Sequence, residues 1–113
     1  MPISNEQVLV HRFLRLLHED DYYPDPVVRR GEAIFVRLCE RIEAERPADL
    51  SALYRLTHAA TEEFNELEAE FDAAGSEIET VARDEIGQDF WFLANAYGFH
   101  DADIEELIAP REW

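Results

Sequence analysis

His58, Glu62, Glu66 and Glu70 recur at every fourth position of the sequence. Imidazole and carboxylate groups are the ligands of di-metal centres inside helical bundles, which use a Glu-x-x-His pair together with carboxylates from facing helices. A helical projection turns these four side chains ~105–145° away from the apolar stripe of the same segment. The sequence contains no Glu-x-x-His pair. We therefore expect an acidic stripe that faces solvent, and the sequence predicts no metal site.

Glu85 and Asp89 form a second carboxylate pair, which projects into the middle of the apolar stripe of a later segment. A buried carboxylate must find hydrogen-bond partners or take up a proton. The structural interpretation is a bond to an arginine, a tyrosine or a helix end elsewhere in the fold, and the alternative is a catalytic acid or base. No nucleophile, ordered base or glycine-rich phosphate loop accompanies the pair. The sequence therefore predicts no catalytic residue and no cofactor.

Trp91 lies in the aromatic run of residues 90–92 and projects ~170° from the centre of the apolar stripe. Two outcomes stay open for this side chain. A short C-terminal helix covers it, or it is exposed as an aromatic anchor of an interface.

Helix start and stop signals divide the chain into five predicted helices. Serine or aspartate caps open most of them, and proline or glycine ends them. The predicted helices cover residues 5–18, residues 26–46, residues 48–74, a segment that begins after Ser76 and ends at Gly98, and a short segment from Asp101 or Asp103 to residue 108.

Apolar residues follow steps of three and four along these segments, which keeps them on one side of each helix. In the third helix the stripe consists of Leu50, Leu53, Thr57, Ala60, Phe64, Leu67 and Phe71. In the first helix the core-facing residues are Leu9, Val10, Phe13, Leu16 and Leu17. The pattern predicts an all-α fold: an up-down four-helix bundle with a short fifth C-terminal helix, in a single domain of residues 1–113.

The formal net charge of −16 is unevenly distributed. Residues 1–55 contain ten acids and eight arginines, whereas residues 56–113 contain sixteen acids and two arginines. Nucleic acid and anionic membranes are poor partners for such a surface, because binding them requires positive charge. A basic protein is the partner that the charge favours.

Several of the remaining polar residues are expected to lie on the surface. His11 and His18 project to the polar side of the first helix and should be solvated. Arg30, Arg37 and Arg41 should pair with neighbouring carboxylates on the outer face of the second helix.

The single cysteine, Cys39, excludes an internal disulfide, and no apolar run approaches the ~20 residues of a membrane span. The N-terminal residues also lack the basic and apolar regions of a signal peptide. We expect a complete, small, soluble protein in the cytoplasm.

Several segments of the chain carry a likeness to a known family. They are MPISNEQV at residues 1–8, EDDYYP at 19–24, LTHAATEEFN at 56–65, SEIETVAR at 76–83 and AYGF at 96–99. Over its full length the chain resembles a family of small acidic bacterial proteins that form a domain of unknown function. The resemblance implies a bacterial origin, and it draws attention to residues 56–65 as a possible site. It implies no activity, catalytic residue or ligand.

The sequence favours a non-enzymatic protein-interaction module whose acidic helical face binds a basic partner, for example as an immunity-type inhibitor of a toxin. Glu62, Glu66 and Glu70 would steer the association and Trp91 would anchor it. The protein would be a monomer, or a homodimer formed through the aromatic end of the fourth helix. The alternative is a small metal-binding protein or enzyme that uses His58 with Glu62, or Glu85 with Asp89.

Overall fold

The computed structural model describes residues 3–113, and within this range the regular structure is entirely helical. The helices are α1 (Glu6–Val10), α2 (Arg15–His18), α3 (Asp25–Glu45), α4 (Leu50–Ala73), α5 (Thr80–Ala96) and α6 (Ile104–Leu107). The all-α prediction is confirmed, and the arrangement is consistent with an up-down bundle. Among these residues, no helix is both long and apolar enough to cross a membrane.

The core lies where α3, α4 and α5 meet. Phe35, Phe64 and Phe90 are fully buried, and their ring centroids lie 4.9–5.9 Å apart. Each such side chain stabilises the fold by roughly 1.5–3 kcal/mol relative to leaving it in water. The predicted stripe of the third helix is buried except at Leu50, which is partly exposed. The steps of three and four therefore identified the core face of α4 correctly.

The caps of three helices differ from the prediction. The sequence predicts Asp25 as the cap of the second helix, but α3 begins at Asp25 and has no side-chain cap. Asn5, one residue beyond Ser4, caps α1 by accepting a hydrogen bond from the Val8 N–H at 3.1 Å. Ser4 is used differently, because its hydroxyl donates to Glu43. At α5 the cap is Glu79, which accepts from the Val81 N–H, and the helix begins later than predicted.

Glu43 holds the N-terminal segment against the bundle. Its carboxylate accepts hydrogen bonds from the backbone N–H groups of Ser4 and Asn5, from the Ser4 hydroxyl and from the Tyr97 hydroxyl. Burial acts to raise the pKa of Glu43, but the bonds from Tyr97, Ser4 and Asn5 outweigh it and lower the pKa to about 2. The stability that these bonds supply is present above the ordinary glutamate pKa and is lost as the pH falls through about 2.

The prediction of one continuous helix over residues 5–18 is wrong. Residues 11–14 leave the helical conformation, and Leu14 adopts a left-handed backbone with φ of 57°. The break divides the segment into α1 and α2 and changes which side chains reach the core. Three of the residues predicted to face the core are exposed instead: Leu9, Val10 and Leu16.

The buried Leu14 side chain packs directly on Gly31 in the middle of α3. A Cβ atom at Gly31 would lie 2.8 Å from Leu14 Cδ1 and 3.2 Å from Phe64 Cε1. Real Cβ atoms essentially never show the first distance, the second is tighter than most, and both neighbours are buried in the core. A side chain at position 31 would therefore force Leu14 or its surroundings to shift.

We predict that Gly31→Ala lowers the free energy of unfolding by ~1–3 kcal/mol, because the overpacking outweighs the ~1 kcal/mol that alanine gains from helix propensity. Gly87→Ala is the matched control. An added Cβ there meets Ile104 and Ile108 at an ordinary 3.6–3.7 Å. This control should be neutral or stabilising by up to ~1 kcal/mol. Urea unfolding measures both changes, and equal effects of the two substitutions would contradict the close contact at Leu14.

Candidate functional site

The acidic stripe, defined here as Glu62, Glu66 and Glu70, lies on the outer face of α4. All three side chains are exposed, so the predicted outward projection is confirmed. Glu70 pairs with Arg30 of α3. Within residues 3–113, Glu62 and Glu66 have no ion-pair partner. Two members of the acidic stripe are therefore available to a positively charged ligand.

The arginines of α3 pair with carboxylates as predicted. Arg37 bonds to Glu63 at 2.7 Å and Arg41 bonds to Glu45 at 2.9 Å, in addition to the pair between Arg30 and Glu70. These pairs are half-exposed, and each contributes at most ~1 kcal/mol. They neutralise the α3 side of the groove between α3 and α4 and leave the outer side of α4 negative.

The negative charge continues along α4 beyond the acidic stripe. Burial raises the pKa of Glu68, and the charges of Asp72, Glu112 and Glu77 raise it further, against a partial opposing effect of Arg83. The last turn of α4 contains no basic residue, although the carbonyl end of a helix favours positive charge. The acids on this part of α4 thus reduce the stability of the helix that presents them.

His58 contacts the C-terminal segment. Its Nε2 atom lies 2.6 Å from the carbonyl oxygen of Glu106, and its ring stacks beside Tyr54. One ring nitrogen of His58 is thus bonded to the backbone, whereas Glu62 is exposed.

Residues 56–65, which carry the family likeness, fasten the C-terminal segment. The Thr61 hydroxyl donates to the Thr57 carbonyl oxygen at 2.8 Å and lies 3.4 Å from the carbonyl oxygen of Leu107. Asn65 donates to the Pro110 carbonyl oxygen and accepts from the backbone N–H of Glu112. Trp113 is only 7% exposed and packs against Phe64. Thr61 and Asn65 thus have a structural role.

A cleft of about 480 Å³ lies between α5 and the α1–α2 segment. His11, Asp89 and Phe92 line it together with Val10, Leu16 and Trp91. We refer to it as the α1–α2–α5 cleft. It contains both the buried carboxylate and the exposed tryptophan that the sequence singled out.

Asp89, which is 4% exposed, stabilises the break in the N-terminal segment. Its Oδ2 atom accepts a hydrogen bond from the Leu14 N–H at 2.7 Å, and Glu85 accepts one from the Leu16 N–H at 3.0 Å. These N–H groups belong to the start of α2, where a helix has donors without internal partners and a favourable site for negative charge. The two carboxylates of α5 thus bond to a helix end in another element, which is the structural interpretation of the pair.

The prediction that His11 is solvated is wrong. Its side chain is 26% exposed, its Nε2 lies 2.9 Å from Asp89 Oδ1, and its ring stacks on Phe92 with centroids 3.8 Å apart. His18 is also largely covered and bonds to Glu32 at 3.2 Å. The signal that could have located His11 is Asp89 itself, since a carboxylate in an apolar stripe requires a nearby donor.

Burial raises the pKa of Asp89 to about 6. The hydrogen bonds from Leu14 and His11 oppose this rise, and the charge of Glu85 adds to it. A carboxylate that orients a histidine ring is also found in general-base catalysis. No serine, threonine or cysteine lines the cleft among the described residues. The bond to Asp89 orients the partly buried imidazole of His11. The bonds of Asp89 and Glu85 to residues 11–16 hold α1, α2 and α5 together.

Trp91 is exposed, with 42% of its surface accessible. The C-terminal helix α6 packs instead beside Gly87, through Ile104 and Ile108. Trp91 borders the α1–α2–α5 cleft, whereas Glu66 and Glu70 border the groove between α3 and α4. The tryptophan and these two glutamates of the acidic stripe therefore border different clefts.

No group of three His, Cys, Asp or Glu side chains among residues 3–113 is arranged to hold a metal ion. The chain belongs to a family of unknown function, DUF5713, whose model matches residues 7–113. No curated protein and no solved structure matches the chain. The family assignment confirms the resemblance to a domain of unknown function.

We predict a specific pH dependence for Asp89→Asn, which keeps an acceptor for Leu14 and removes the ionisable group. At low pH both proteins bury a neutral side chain. As the pH rises from ~4, the usual aspartate pKa, through about 6, only the wild type must bury a charge. The unfolding free energy of the wild type should therefore fall relative to the variant, on the order of 2 kcal/mol.

Urea unfolding between pH 4 and pH 7 measures this difference. Asp84→Asn is the matched control, because Asp84 is an exposed aspartate of the same helix. Its stability curve should run nearly parallel to that of the wild type. Parallel curves for Asp89→Asn as well would contradict the burial of an ionisable carboxylate.

Proposed function

We propose that the chain is a non-enzymatic protein-interaction module whose acidic stripe binds a basic partner protein. The observation that carries the proposal is the state of Glu62 and Glu66, which are exposed and have no ion-pair partner within residues 3–113. Residues 56–113, which contain the stripe, hold sixteen acids and two arginines. A partner that supplies positive charge is complementary to this surface.

The position of the acidic stripe supports a role beyond solubility. Like charges four residues apart on a helix destabilise it by a few tenths of a kcal/mol per pair, and Glu70 adds negative charge to the last turn. Acids placed at helix starts or in loops would give the same solubility without this cost. A stripe that destabilises its own helix is explained if a bound partner compensates the charge.

The proposed binding depends on long-range attraction followed by close pairing. Acidic groups on one protein raise the association rate of a basic partner, and salt screens this effect over ~10 Å at 0.1 M ionic strength. An inhibitor that neutralises a basic toxin is one concrete form of such a module. Trp91 is not included in this surface, because it borders the α1–α2–α5 cleft.

Charge reversal tests the proposal. A variant with Glu62→Lys, Glu66→Lys and Glu70→Lys should lose partner capture from the native cell lysate, and with the captured partner its association rate at low salt should fall by about tenfold or more. The matched control carries Asp21→Lys, Asp84→Lys and Asp101→Lys, which change the net charge equally at exposed positions outside α4. A partner that the wild type and the control retain, and that high salt releases, would support the proposal.

The same variants separate loss of binding from loss of folding. Lysines at these positions attract the remaining acids of α4, but they repel one another and replace the Glu70–Arg30 pair by two like charges. The free energy of unfolding should therefore change by no more than ~1 kcal/mol in either direction. Equal capture by the two triple variants would overturn the proposal, since binding would then depend on net charge and not on the stripe.

A further inference from the structure

A second exposed surface differs in chemistry from the acidic stripe. Five of the seven exposed large apolar side chains in residues 3–113 lie on α1, α2 and α5. They are Leu9, Val10, Leu16, Val81 and Trp91. Val10 is 86% exposed, and it lines the α1–α2–α5 cleft together with Leu16 and Trp91. We call the surface around this cleft the α1–α2–α5 face. Val10, Leu16 and Trp91 thus border one cleft, and exposed apolar patches mark interaction sites in soluble proteins.

The exposure of this face follows from the helix break. A continuous helix over residues 5–18 was expected to turn Val10 and Leu16 towards the core. The break instead buries Leu14 and leaves those two side chains in water. The left-handed Leu14 backbone and the buried Asp89 both carry an energetic cost. The fold therefore maintains an exposed apolar face by means of two unfavourable local features.

The charges beside this face are mixed, in contrast to those of the acidic stripe. Arg12 and Arg15 line the cleft opposite Glu85, and Asp89 is bonded to His11. Arg15 lies 4.0 Å from Glu19, and Arg12 has no ion-pair partner within residues 3–113. The arginines make this face a poor surface for a basic partner. They also make it complementary to a surface that carries apolar side chains and a carboxylate such as Glu85.

A second copy of the chain presents that combination. In a two-fold symmetric contact the same patch meets itself, so the arginines of one copy can approach the glutamate of the other around a shared apolar centre. A standard interface takes roughly 800 Å² from each partner. The molecule measures 40 × 27 × 20 Å, so an interface of this size would take most of its broadest face. We propose that the α1–α2–α5 face is the contact surface of a symmetric homodimer, a proposal independent of the function assigned to the acidic stripe.

Salt distinguishes this association from binding at the acidic stripe. Two chains that each carry a net charge of −16 repel one another, and salt screens that repulsion while strengthening or leaving intact an apolar contact. The homodimer should therefore tighten as salt increases, whereas a basic partner should be released. The two proposals can fail separately, because the same change in conditions acts on them in opposite directions.

Sedimentation equilibrium from ~1 μM to ~1 mM protein tests the proposal. We expect a monomer–dimer equilibrium whose dissociation constant falls as salt is raised. Val10→Asp and Trp91→Ala should each raise that constant by about tenfold or more. Val36→Asp is the matched control, because Val36 is an exposed valine on α3, outside the face. It should change the constant by no more than about twofold.

Tryptophan fluorescence gives a second readout that does not depend on the variants' stability. The chain has two tryptophans, and only Trp91 is exposed. Acrylamide quenching of the wild type should decrease with protein concentration in step with dimer formation. A monomer at every concentration and salt, a dimer unaffected by Val10→Asp and Trp91→Ala, or a dimer in which Trp91 stays fully quenchable would overturn the proposal.

Discussion

The buried carboxylate of Asp89 bonds to the Leu14 N–H and to the His11 ring, and the path of the N-terminal segment depends on these two bonds. They supply an acceptor for a backbone donor that a continuous helix would have satisfied internally. The freed chain turns at Leu14, whose side chain then packs on Gly31. Val10 and Leu16 are left outside as a consequence, so one internal interaction defines the composition of an external face.

The long helices could be predicted because their signals are local. The apolar stripe of α4, the proline after α3 and the glycine after α4 all act within a few residues of the helix that they define. The break between α1 and α2 has no such local signal. Asp89 is 75 residues away from Leu14 in sequence, so the pattern of residues 5–18 alone indicated a helix. His11 was assigned to solvent for the same reason, since its projection assumed that the helix continues.

The candidate site, like the fold, was predictable only where a single helix determines the position of a residue. The outward position of Glu62 and Glu66 follows from the helical period of a single element, and the structure has it as predicted. Trp91 and the stripe residues Glu66 and Glu70 border different clefts, and α6 packs beside Gly87 through Ile104 and Ile108. How helices pack against one another depends on several elements, and the apolar periodicity of one helix does not predict it.

The structure thus presents two surfaces of different chemistry, one acidic and one apolar with mixed charge, and Asp89 determines the shape of the second. Amide hydrogen exchange at Leu14, measured by NMR at neutral pH, tests this role most directly. The Asp89 bond should slow exchange of the Leu14 amide by ~100-fold or more relative to an unfolded chain, although the residue lies outside regular helix. Exchange at the rate of an unprotected loop amide would show that Asp89 does not hold the break.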